Sequence, residues 1–253
     1  ELARRYPANQ TAVAGKNAIR LLVDLLITPE EEEAAKAASA SALWSLAAAH
    51  AENQKLIAKE GGLEPLCELI GVGNFDTQRE AAGALAAIAL DNPANVETVA
   101  IMLIGLLKSK DLETCAKAAL AISRLARSHT SNQVSIANAG GIKTLVSMVS
   151  IETQAETPHL LRSGSVSEEA SVAETPQSLR QEKSLPAEVV AHNKDINVRV
   201  NLQKEAASAL WSMAYFNQEN QKAIASEGGV PSLIALLSYQ RTEVHRDAAG
   251  ALW

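Results

Sequence analysis

The residues with the chemistry to catalyse are few and dispersed. The five histidines, His50, His129, His159, His192 and His245, are scattered, and none has a cysteine, serine or carboxylate partner at the spacing of a catalytic motif. Cys67 and Cys115 have neither a CxxC spacing nor a histidine at metal-ligand distance in sequence, so neither a disulfide frame nor a zinc site is predicted. Gly-Gly recurs at Gly61-Gly62, Gly140-Gly141 and Gly228-Gly229, once per unit, which marks a structural corner and not a phosphate loop. The expectation is a non-enzyme with no catalytic residue, cofactor or metal. What remains is the chemistry of contact, carried by Trp44, Trp211 and Trp253 and by basic residues at fixed distances from them.

Those distances come from a repeat. The stretch from Ser41 to Ile70, SALWSLAAAHAENQKLIAKEGGLEPLCELI, returns from Ser208 to Leu237 as SALWSMAYFNQENQKAIASEGGVPSLIALL. Counted from Trp44 and Trp211, Asn-Gln stands at +9 and +10 and Gly-Gly at +17 and +18 in both. The same register places further tryptophan slots at Ala86, Ser123 and Trp253, and one just before residue 1, so the sequence reads as starting and stopping in mid-repeat. Within a unit, apolar residues at helical spacing fall in three blocks split by breakers, the first two by Gly-Gly, where a tight corner needs positive φ. The expected fold is all-α. A triplet this small cannot bury its apolar faces alone, so successive triplets must stack into a right-handed solenoid with one continuous core.

A unit of about 42 residues with three helices and this Asn-Gln, Gly-Gly and Ala-Leu-Trp grammar resembles the armadillo repeat family. The resemblance implies that third helices line a concave groove and that the tryptophan slot and positions −7, −4, −3 and +4 face it. Trp44, Trp211 and Trp253 are then the anchors, with recesses beside them at small residues such as Gly83, Ser208 and Gly250. Arg79, Lys204 and Arg246 stand at −7, and Arg4, Arg127 and Tyr215 at +4. Such a groove favours an acidic extended segment. The alternatives are that the tryptophans are inter-helix packing and that the −7 cations pair with the adjoining acids Glu80, Glu205 and Asp247. No unit has an asparagine at +4, the residue with which the importin alpha branch holds a basic cargo, so an importin-like transport adaptor is disfavoured. The function expected is a protein-interaction scaffold for an extended or helical partner segment. A competing reading is the substrate-recognition region of a ubiquitin ligase or another multidomain enzyme.

Composition agrees with this. Hydrophobic residues make up 47% but aromatics only 3%, which suits an Ala- and Leu-rich core of closely packed helices. A net charge of −6 argues against nucleic acid, whose binders draw most of their affinity from a basic field. The longest apolar run, Val99 to Leu107, is too short to span a bilayer, and nothing suggests a small-molecule substrate. The expected setting is intracellular, cytoplasmic or also nuclear.

Three local readings complete the sequence. Glu30 to Glu33 suit the positive end of the following helix, and Asn53, Asn132 and Asn220 read as helix N-caps. The unit between Ala86 and Ser123 is short and lacks Gly-Gly, so its first helix is lost or fused to the second. Repeats are expected over 1–150 and 198–253, with 151–197 as a disordered insertion rich in Ser, Thr and Glu. Thr157-Pro158, Thr175-Pro176, Ser163, Ser165 and Ser167 in it are candidate phosphorylation sites, and LPAEVVA over 185–191 is a candidate short helix.

Overall fold

The computed structural model describes residues 6–127, 129–151, 187–238 and 242–253, and within them the chain is helical with no strand. Helices α1 (Pro7–Ala14), α2 (Ala18–Ile27) and α3 (Glu33–Ala47) lead into a complete triplet, α4 (Ala51–Lys59), α5 (Leu63–Val72) and α6 (Phe75–Ala89). Two helices follow, α7 (Pro93–Leu107) and α8 (Leu112–Ala126), and then a second triplet, α9 (Thr130–Asn138), α10 (Gly141–Val149) and α11 (Ala187–Ala214). The last comprises α12 (Gln218–Ser226), α13 (Gly229–Leu237), a 3-10 turn (Thr242–Val244) and α14 (His245–Leu252).

The third helices α3, α6, α8, α11 and α14 form one row, each touching the next, and α2, α5, α7, α10 and α13 form another. Between the rows runs one continuous core, in which α6 buries Ala81, Ala84, Leu85 and Ile88. Small alanines let these helices approach closely, and the leucines and isoleucines fill what space is left. The unit without Gly-Gly has the fused form expected: the single helix α7 touches both α9 and α10 and so serves as first and second helix together.

Each glycine of the corner has its own reason. Gly61, Gly140 and Gly228 have φ of +79°, +86° and +82°, a conformation costly for any residue with a Cβ. Gly62, Gly141 and Gly229 leave room for an isoleucine of the first helix: a Cβ there would stand 2.8, 2.6 and 2.6 Å from Cγ2 of Ile57, Ile136 and Ile224.

The Asn-Gln pair is not a cap. The N-caps lie three residues earlier, where side chains of His50, Asn92 and Asn217 accept from the backbone N–H of Asn53, Asn95 and Asn220. The buried Asn53, Asn95, Asn132 and Asn220 instead donate their side-chain amides to the carbonyls of Leu46, Ile88, Leu125 and Met213, in the last turn of the preceding third helix. A side chain in the first turn of a helix points back toward its N-terminus, which carries the amide to those orphan carbonyls. The glutamine reaches further, into the next unit: Gln10 donates to Ser45 and Ala48, Gln54 to Ala87, and Gln133 to Ser212 and Tyr215. Glu33 also crosses units, its carboxylate accepting from the N–H of Asn74 at 2.9 Å, where α6 begins.

The expected insertion is helical at its end: α11 runs unbroken from Ala187, so residues 187–197 belong to the third helix, and the described part of the candidate short helix over 185–191, residues 187–191, is continuous with it. The candidate phosphorylation sites lie outside the described residues, as does Arg4.

Candidate functional site

The row of third helices presents its slot residues in matched pairs. A Cβ on Gly83 would meet Cε3 of Trp44 at 2.5 Å, and one on Gly250 would meet Cδ2 of Trp211 at 2.6 Å. In the same register Ser123 packs on the next unit with a hydroxyl 3.2 Å from that of Ser208 and 3.0 Å from that of Ser212. The recess at −3 is thus filled by the slot residue of the preceding unit. Trp44 and Trp211 are half-buried, and packing between third helices, the alternative at these positions, describes one side of each indole.

Two clefts open on this row. The larger, of about 530 Å³, lies between α8, α11 and α14 and brings together Arg127, Trp211, Tyr215 and Arg246 with Ser208 and Ser212. The other, of about 300 Å³, lies between α6, α8 and α11. Its sides carry Arg79 and Lys204, Ala82 and Ala121 are among its apolar lining, and Arg124 adds a further guanidinium. Trp44 lines neither. Trp253 is 90% exposed and joins Trp211, Tyr215 and Phe216 around a separate cavity of about 410 Å³ beside α14. The rings of Tyr215 and Phe216 meet edge to face, with centroids 4.5 Å apart, a favoured aromatic geometry.

Charge in these clefts is largely paired. Arg79 bridges Asp76 at 3.0 Å and Glu80 at 2.9 Å, Lys204 reaches Glu205 at 2.9 Å, and Arg246 reaches Asp247 at 3.2 Å. All three −7 cations therefore pair with the acid beside them, and these positions do not by themselves give a basic field. The exceptions are on α8. Arg124 and Arg127 have no acid in direct contact among the described residues. Burial pushes the Arg124 guanidinium below its ordinary pKa, Glu205 draws it up, and Arg127 and Arg79 push it down further.

Arg124 escapes the family positions because it stands at +1. The sequence nevertheless carries a signal: Arg79, Lys204 and Arg246 each precede an acid, whereas Arg124 lies between Ser123 and Leu125. Among the described residues no three His, Cys, Asp or Glu side chains come together as a metal site, and no helix is long and apolar enough to cross a membrane.

Stacked triplets with clefts along their third helices define a class, the α-solenoids built from three-helix repeats. This chain matches the family described as Armadillo/beta-catenin-like repeat over residues 50–89 and 217–253. Its fold is shared with an engineered protein of known structure that is 26% identical, with a TM-score of 0.54 over 99% of this chain and 84% of the other. A designed armadillo repeat protein solved in complex with the peptide (KR)4 is 21% identical, with a TM-score of 0.55 over 99% of this chain and 87% of that one. No curated protein matches the chain.

Proposed function

We propose that this chain is a protein-interaction scaffold that holds an extended or helical segment of a partner along the row α3, α6, α8, α11 and α14. The observation that carries the reading is the 530 Å³ cleft in which Trp211, Tyr215, Arg127 and Arg246 converge. Aromatic and arginine side chains around a recess are where binding energy concentrates in protein interfaces. An open row of shallow clefts suits a segment that gains affinity by summing modest contacts, with no one pocket deep. The role is binding without catalysis.

The test is affinity capture from cell extract with the parent chain and an Arg127→Glu/Tyr215→Ala variant in parallel. Both positions are exposed, so the variant should keep its helical circular dichroism. Trp211 is a poorer choice, since its truncation would also empty the contact with Gly250. Proteins captured by the parent and lost by the folded variant support the groove; identical capture by both refutes it.

A further inference from the structure

We infer that the cleft between α6, α8 and α11 receives a carboxylate side chain, an Asp or Glu of the bound segment, with Arg124 as its anchor. This rests on the scaffold reading above and names the chemistry that the groove selects.

Four observations carry it. Arg124 is a half-buried guanidinium lining a 300 Å³ cleft, and a partly desolvated cation without a bonded acid is stabilised by an anion that enters beside it. The neighbouring cations are already committed, Arg79 and Lys204 to acids and Lys117 to the carbonyl of Gly71 at 3.4 Å. Paired, Arg79 and Lys204 add no net positive field, but they engage Glu80 and also Glu205, the acid in the lining of this cleft. Arg127, one turn further along α8, is exposed and faces the adjoining cleft, so an extended segment crossing α8 passes two unpaired guanidinium groups in succession. Finally, Ala82, Ala116, Leu120 and Ala121 give the lining an apolar part beside Gln78, Asn201 and Glu205, which suits the stem of the entering side chain. Arginine binds a carboxylate through its fork of parallel N–H donors, and Glu205 in the same lining disfavours the more highly charged phosphate.

The experiment is selection of a random displayed peptide library on the parent chain, followed by fluorescence anisotropy of the selected peptides. Selected sequences should share an Asp or Glu, and its replacement by Gln should weaken binding at least tenfold. On an Arg124→Gln variant, checked for fold by circular dichroism, the Glu and Gln peptides should bind within twofold of each other. An Arg124→Lys variant keeps the charge without the fork and should retain an intermediate preference; it also serves if Arg124→Gln does not fold. Peptides with phosphoserine in place of Glu should bind more weakly; tighter binding would overturn the carboxylate assignment in favour of phosphate. Peptides selected without an acid, or an acid preference that survives Arg124→Gln, would overturn the inference and leave the scaffold standing. A chain that selects no peptide at all refutes both.

Discussion

Gly83 and Gly250 have no side chain because the indoles of Trp44 and Trp211 already occupy that space. Gly83→Ala and Gly250→Ala should each destabilise the chain by about 1–3 kcal/mol, the usual cost of forcing a methyl into packed surroundings. Denaturant unfolding followed by tryptophan fluorescence reads this, and an unmoved midpoint would mean that the indoles swing aside freely. A second residue-scale effect concerns charge. The hydroxyl and then the N–H of Thr114 donate to the Asp111 carboxylate at the start of α8, and hold its pKa below the ordinary carboxylate value. The folded value lies below the unfolded one, so the stabilisation is complete above about pH 4 and is lost as pH falls through the folded value. Asp111→Asn, which still caps, should therefore be less stable than the parent at neutral pH and converge with it in acid, as read from melting temperatures across that range. The matched volumes of Trp44 with Gly83 and Trp211 with Gly250 were present in the sequence, but they read as pockets for a partner. Which indole fills which recess depends on how far one helix is offset from the next, and only stacking fixes that offset.

At the scale of elements, three of the turns from third to first helix bend through a left-handed residue that is not glycine: Ala49, Asp91 and Phe216 have φ of 53°, 54° and 50°. For alanine this conformation costs about 1 kcal/mol, part of which glycine gives back through its freer unfolded chain. Ala49→Gly should thus raise stability by about 0.5 kcal/mol, visible as a higher melting temperature; a lower one would place the turn under a different constraint. The helical triplets and their glycine corners were legible because breakers punctuate the apolar periodicity at regular intervals. The fusion in α7 followed from a missing corner and a run of apolar residues. The role of Asn53 and its counterparts was not legible, since a polar residue near a helix start looks like a cap whichever helix end it serves. Its partner carbonyl is seven residues earlier and becomes a neighbour only once the chain has turned back on itself. Nor did composition reveal that α11 begins at Ala187, because the apolar positions between 187 and 197 are too few to set a period.

For the whole molecule, an acidic chain of net charge −6 keeps two unpaired arginines together at the end of α8, where the helix dipole helps to hold them. A solenoid of this kind is stabilised by its units and by the interfaces between neighbours, so parts of it can open without the rest. The thiols report on that. Cys67 on α5 and Cys115 on α8 are both buried, and burial pushes the Cys67 thiol up to about 12. Both should resist a thiol-specific reagent at neutral pH until denaturant is added, and their exposure at different denaturant concentrations would show that the units on which they sit unfold separately. The glutamine ties say where separation is easiest. Gln10, Gln54 and Gln133 each lash their unit to the end of the following third helix, but the corresponding position in α7 is Val96, buried and without a side-chain donor. An apolar contact slides under load where a hydrogen bond resists. Stretched along its axis, this solenoid should yield first at the seam between α6 and α8. There only the longer bonds of Asn95 to the Gln54 carbonyl and Lys117 to the Gly71 carbonyl stand in for the glutamine tie among the described residues. Tension on a partner bound across that seam would widen the very cleft that Arg124 lines.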